Sequence, residues 1–145
     1  MTTVQDLRDQ GYHTWDMDII EPFEENNGPF LMKKQEDGSW VTALVVEEKH
    51  LNGHKTIHGG ALMTLADVAI FAFARDLIVG EFNAVTVSMT ADFLKGAQVG
   101  DLIEGKGQVT RETGSMIFSS GGLFVGDECL LNFSGIIKKL EKKKG

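Results

Sequence analysis

Cysteine is all but missing from this chain: Cys129 stands alone among 145 residues. A single thiol excludes an intrachain disulfide and suits a reducing compartment. Proline is almost as scarce, with Pro22 and Pro29 both in an early connecting stretch. No Pro- or Ser-rich linker, internal repeat or low-complexity tract divides the chain, so one domain over residues 1–145 is expected. No run of about 18 apolar residues is present, and no membrane-spanning helix is expected. The opening MTTVQDLRDQ has neither a basic start nor an apolar stretch. It does not read as a secretory signal, which makes the cytoplasm the expected location. Positive charge is in deficit, with 14 Lys and Arg against 21 Asp and Glu, a net −7. A nucleic-acid binder needs a basic face to neutralise phosphates, so that class is excluded. An anionic ligand would need a local basic cluster, because exposed charges beyond about 10 Å are largely screened. Lys55, Lys95, Lys106 and Arg111 are the candidates for it. The basic run from Lys138 to Lys144 reads instead as a solvated, frayed end.

What is present is the composition of a folded soluble protein, 42% hydrophobic and 24% charged. Residues 3–13 are expected to form a short helix with Val4 and Leu7 as its anchors. Phe30 to Lys34 and Trp40 to Glu48 read as a hairpin turned through Glu36-Asp37-Gly38-Ser39. Gly59 to about Val79 reads as one long helix. Period-two alternation then sets in, with Val85, Val87, Met89, Ala91 and Phe93 on one face and Thr86, Ser88, Thr90 and Asp92 on the other. Strands follow over about 101–111, 116–125 and 128–139, separated by turn signals at Lys95-Gly96, Thr113-Gly114 and Gly126-Asp127. Two strands, one long helix and four more strands predict an α+β fold in which an antiparallel sheet buries the helix.

That helix is apolar almost all the way round from Ala61 to Ala74. One sheet covers one side, so a curled sheet and a second subunit are expected to cover the rest. Asp67 is the single charge in this run, and an ionised carboxylate buried without partners costs several kcal/mol. It must be paired, protonated or at a wet cleft. At the helix start, Gly59 and Gly60 follow His58 and offer unobstructed N–H groups where the helix dipole is positive. Two readings stay open there: a cradle for a developing oxyanion, worth about 3–4 kcal/mol, or glycines that merely permit a tight turn.

Arithmetic joins the two features. Asp67 lies eight positions beyond Gly59, roughly 12 Å along a helix rising about 1.5 Å per residue. A catalytic group must come within about 3 Å of the reacting atoms, or one water further. One chain does not deliver both to one bond. Two such helices packed antiparallel about a two-fold axis would, with Gly59 of one copy facing Asp67 of the other.

The stretch from His50 to Asp67, with Asn52, then His58-Gly59-Gly60 six residues later, then a helix carrying Asp67, resembles the signature of PaaI-type hotdog acyl-CoA thioesterases. The likeness extends through the strand Ala84–Phe93 to Val99-Gly100-Asp101. It implies a hotdog fold, a curved antiparallel sheet wrapped round one long helix, assembled as a dimer or tetramer. It also implies hydrolysis of an acyl-CoA thioester without metal or organic cofactor. The resemblance implies that Gly59 N–H polarises the thioester carbonyl and that Asp67 of the partner attacks it or activates water. Asn52 would orient the water or the thioester, His58 would shape the turn and contact substrate near the sulfur, and Thr86 would position water. Gly60, Lys95, Arg111 and Phe71 are the expected substrate contacts. One departure from the pattern is Gly96, where relatives often carry proline.

Each candidate has a plainer alternative. Asn52, beside Gly53, reads on its own as a turn residue, and hydroxyl residues such as Thr86 are ordinary on strands. Phe71 and Phe73 serve core packing as well as an acyl pocket. His50, His54 and His58 have the spacing of a metal stripe on a helix, but Gly53, Gly59 and Gly60 make the segment a loop. Cys129 reads as a buried structural thiol. Arg75 and Asp76 read as surface groups at the helix end. Two other functions share this kind of fold: a thioester hydratase or dehydratase, and a non-catalytic acyl-CoA sensor. The first would need a second acid paired with its base. The second would have no need of a costly buried Asp.

Overall fold

A computed structural model describes residues 1–142. The chain runs α1 (Val4–Asp9), α2 (Pro22–Asn27), β1 (Leu31–Lys34), β2 (Trp40–Val45), a 3-10 turn (Glu48–His50), α3 (Gly59–Phe73), α4 (Arg75–Ile78), β3 (Phe82–Phe93), β4 (Leu102–Glu112), β5 (Met116–Val125) and β6 (Glu128–Lys142). The strands form one six-stranded antiparallel sheet in the order β1-β2-β4-β5-β6-β3. It curls round α3, the hotdog arrangement expected.

The sequence explains why α3 sits so close to the sheet. Leu65, Ala66, Ala69, Ile70 and Ala72 form its sheet-facing side and are fully buried. Small residues meet small residues there: a Cβ built on Gly105 of β4 would lie 3.3 Å from Ala69 Cβ. Leu44, Ile103, Ile117, Leu123, Leu131 and Ile137 complete the core from four strands. Truncating a buried side chain such as Leu65 to alanine costs about 2–5 kcal/mol in such a setting.

Five expectations are corrected. The long helix does not run to Val79. It turns at Ala74 (φ −98°, ψ 6°) and restarts as the short α4. Arg75 is no surface group, because its guanidinium lies 4.8 Å from the Trp15 ring and 5.1 Å from the Trp40 ring. Asp76 does lie at the surface as expected, its exposed carboxylate paired with Lys34 at 2.9 Å. The early stretch holding both prolines is not plain connection, since Pro22–Asn27 is the helix α2. Nor is the basic run frayed through its first half. β6 continues to Lys142, and Lys139, its side chain 7% exposed, pairs with Glu112 at 2.8 Å. Lys143 and Lys144 lie outside the described residues. Among the described residues no helix is long and apolar enough to cross a membrane.

Strand β3 supplies the fifth correction. Its alternation is interrupted where the register against β6 shifts between Thr86 and Ser88. A bulge adds one residue and reverses the parity of everything beyond it. Val85 and Val87 therefore face outward, 42% and 49% exposed. Ala84 and Thr86 turn inward with Met89 and Ala91, which lie on the other side of the bulge.

Candidate active site

His58 caps α3. Its backbone is extended and its Nδ1 accepts the Gly60 N–H at 2.7 Å, the bond an N-cap side chain provides. A Cβ at Gly60 would lie 2.9 Å from that nitrogen, so glycine is what lets the cap close. With Gly60 satisfied, the Gly59 N–H is left over. Among the described residues it has no protein acceptor, and it sits at the positive end of a 15-residue helix. Gly59 has a packing reason too, because a Cβ there would approach Phe93 Cε1 to 3.3 Å.

The loop leading to the cap is built by Asn52. Its side-chain carbonyl accepts the His54 N–H at 2.8 Å and the Thr56 N–H at 3.3 Å, while its own N–H donates to Thr56 O at 2.8 Å. In this structure its amide serves the turn. His54 and His58 lie on this loop and the helix cap, not on one helix face. Buried His50 ties the loop to α2: its Nδ1 accepts the Glu47 N–H, which leaves Nε2–H to donate to Asn27 O. Among the described residues, no three His, Cys, Asp or Glu side chains converge as a metal site would need.

Asp67 stands exposed at a cleft, two turns along α3 from Gly59. The Thr86 hydroxyl donates to its Oδ1 at 2.6 Å, a short charge-assisted bond that orients the carboxylate. The β3 bulge turns Thr86 toward the helix, so a local irregularity of one strand aims the side chain. Two adjoining cavities share Asp67 and Val68 as walls. An inner one of about 340 Å³ is lined further by Trp15, Phe71, Phe82 and Ala84. An outer one of about 670 Å³ opens past Ile20, Phe23, Met63 and Met89. A third space of about 250 Å³ lies beside His58 and Gly60.

The segment 15–27 is the part of this site that sequence reasoning missed. Trp15 closes the inner cavity, edge-on to Phe71 at 6.0 Å between ring centroids. Glu24 of α2 lines both cavities beside Asp67. Burial, a hydrogen bond with Glu21 and the negative charges of Glu21 and Asp67 push its carboxyl up to about 8. A signal for α2 was present: Pro22 followed by Glu24 and Glu25 is a helix-start pattern, proline in the first turn with acids against the dipole.

The remaining expected contacts are not gathered at Asp67. Lys95 is exposed and ion-paired with Glu128, and Arg111 lies exposed on β4 opposite Phe118. Lys55 sits at the exposed Asn52 turn in a left-handed conformation, φ 63°. Phe71 does line the inner cavity. Cys129 is half-buried, its Sγ 3.4 Å from Leu131 O.

Comparison with known proteins bears on the same segment. The thioesterase superfamily model matches residues 54–130, just over half of the chain. The "Putative esterase PA0474" of Pseudomonas aeruginosa is 37% identical over 112 residues, covering 75% of this chain and 81% of that one. The acyl-coenzyme A thioesterase PaaI of Escherichia coli is 36% identical over 77 residues, 53% of each chain. Among solved structures, E. coli PaaI superposes with a TM-score of 0.72 at 23% identity, covering 85% of this chain and 87% of that one. A hypothetical thioesterase from Streptococcus pneumoniae, solved with coenzyme A, gives 0.69 at 19% identity, covering 79% and 88%. The structural likenesses carry the fold; the family match and the sequence relatives carry membership. The chain belongs to the thioesterase superfamily, as a hotdog protein of the PaaI type.

Proposed function

We propose that this protein hydrolyses an acyl-CoA thioester to the free acid and coenzyme A, at a site shared between two copies of the chain. The carrying observation is a pair of half-sites on one helix. The unpartnered Gly59 N–H lies at its start, and the Thr86-oriented carboxylate of Asp67 lies roughly 12 Å further along. Each lacks what the other holds. A second copy placed antiparallel supplies it, and β3, a 12-residue strand at the sheet edge, offers unpaired backbone groups along which a copy can join. That coenzyme A is the thiol rests on relatives: the E. coli protein is named an acyl-coenzyme A thioesterase, and the S. pneumoniae protein was solved with coenzyme A.

In this reading Gly59 N–H receives the carbonyl oxygen as it becomes an oxyanion. Asp67 of the partner then acts in one of two ways. As general base it takes a proton from water while the water oxygen bonds to the acyl carbon. As nucleophile it bonds to that carbon itself, and water opens the resulting anhydride. Either way the C–S bond breaks and the thiolate leaves, to be protonated as coenzyme A. Thr86 holds the carboxylate, His58 keeps the helix start in shape near the sulfur, and Asn52 fixes the loop and reaches the water or thioester. Phe71 contacts the acyl group, and Gly60 lies beside the carbonyl cradle. Lys95 and Arg111 meet the coenzyme A phosphates, Lys95 by exchanging Glu128 for phosphate. The whole of residues 1–145 forms one working domain, with neither metal nor organic cofactor in the reaction.

The test is thiol release from a panel of acyl-CoAs by wild type and Asp67→Asn. A loss of about 100-fold or more in kcat/KM is expected when a general base or nucleophile is removed. Full activity of Asp67→Asn on the best substrate would remove the carboxylate from the mechanism. Binding of acyl-CoA by wild type with no hydrolysis would instead mark an acyl-CoA sensor. Single-turnover hydrolysis in heavy-oxygen water, with mass analysis of Asp67, separates nucleophile from base.

A further inference from the structure

We propose that Trp15 is the wall that sets the length of acyl group the site accepts, an inference that rests on the acyl-CoA reading above. A thioester at Asp67 has two arms. The polar coenzyme A arm needs an exit to solvent, which the outer cavity provides. The acyl arm fits the inner cavity because it is the more enclosed of the two, and Trp15, Val68, Phe71, Phe82 and Ala84 give it an apolar side opposite Glu21, Glu24 and Asn83. At about 340 Å³ this cavity is near the lower limit of ligand sites, so it suits a short or compact acyl group.

Trp15 is where that cavity stops. Its indole also lines a separate space of about 180 Å³, apolar on the side of Ile19, Pro29 and Phe30 and charged at Arg8, Asp16, Glu25 and Lys49, so Trp15, with Glu21 and Glu24, stands between the two. The indole is braced as a wall should be. Phe71 meets it edge-on at 86° between planes, and the Arg75 guanidinium lies 4.8 Å from its ring. A stacked cation and an aromatic edge hold a ring in one orientation. Trp15 precedes the residues matched by the superfamily model, 54–130. The chemistry at Asp67 and the depth of the pocket are thus set by different parts of the chain.

Removing the indole frees its own volume at the closed end and opens the first space toward Pro29 and Phe30 of the second. Each further methylene buried by a longer substrate is worth about fourfold in kcat/KM. The experiment measures kcat/KM for acyl-CoAs from butanoyl to dodecanoyl in wild type, Trp15→Phe and Trp15→Ala, with thermal melts as the check on folding. Wild type should favour the short end. Trp15→Ala should raise the dodecanoyl-to-hexanoyl ratio by about tenfold or more, and Trp15→Phe should fall between. An unchanged ratio in a folded Trp15→Ala protein, or an equal loss on every substrate, would overturn the proposal. If Trp15→Ala does not fold, the Trp15→Phe ratio decides alone.

A second readout separates this proposal from the hydrolase reading. The chain has two tryptophans, so Trp40→Phe leaves Trp15 as the sole indole emitter. Titration with non-hydrolysable acyl-CoA thioethers should shift that emission increasingly up to the length that reaches the wall. A response without hydrolysis keeps Trp15 as the wall and removes only the enzyme. No response at any length overturns the wall.

Discussion

Asp67 is a charge on an otherwise apolar helix run, and Thr86 gives it direction. Thr86→Val keeps the shape and deletes the donor to Oδ1. A hydrogen bond to a charged group is worth about 1.5–3 kcal/mol, so kcat should fall about 10- to 100-fold with KM little changed. Thr86→Ser should restore most of it, and steady-state kinetics of the two variants decide. Glu24 makes a different prediction. Its ordinary value is 4.5 and the fold pushes it to about 8, so the folded state binds that proton more tightly than the unfolded state. The stabilisation is complete below about 4.5 and is lost as pH rises toward about 8. Melting temperature should decline across that window, and Glu24→Gln should flatten the decline. Asp67 and Gly59 were legible in the sequence because a lone charge and paired glycines stand out against an apolar run. Trp15 and Glu24 were not, because their importance comes from meeting Asp67 across more than 40 positions of chain.

Among the elements, those with uninterrupted periodicity were the readable ones. β5 occupies the residues expected, and α3 begins at Gly59, the expected first residue. What escaped were departures from period. A bulge leaves no mark on composition, so the face assignment of β3 was right on one side of Val87 and reversed on the other. The halt of α3 at Ala74 was equally silent, since Ala, Arg and Leu are good helix formers. β4 and β5 lie together through a glycine pair beneath Phe73. A Cβ on Gly121 would collide with Lys106 O and lie 2.9 Å from Gly107 Cα and 3.0 Å from Phe73 Cε2. Gly121→Ala should therefore cost about 1–3 kcal/mol, read as a lowered urea midpoint with an unchanged slope.

For the molecule as a whole, the proposed site makes activity a property of pairs. Asp67→Asn and Asn52→Ala chains each break one half-site, so neither homodimer should work well. After subunit exchange, half of the dimers are mixed, and each holds one intact site and one doubly broken one. Recovery to about a quarter of wild-type activity is expected, measured by thiol release on the mixture. No recovery after confirmed exchange would place both groups within one chain. If coenzyme A is the ligand proposed, the net −7 of the chain means that local groups draw it, so raising salt should weaken its binding only modestly.

The strand order carries a consequence for how the molecule comes into being. Every residue assigned to the proposed site lies at or before Arg111. Yet β3, which carries Thr86, takes its place at the sheet edge by pairing with β6, Glu128–Lys142. During synthesis α3 and Asp67 emerge first and β3 follows, and β3 then waits while β4 and β5 are made. A chain ending before Glu128 would hold every residue of the proposed site while β3, and Thr86 with it, lacked its partner strand. The last strand carries none of the proposed reacting groups, yet Ile137 pairs with Thr86, so its arrival is what seats the hydroxyl that holds Asp67.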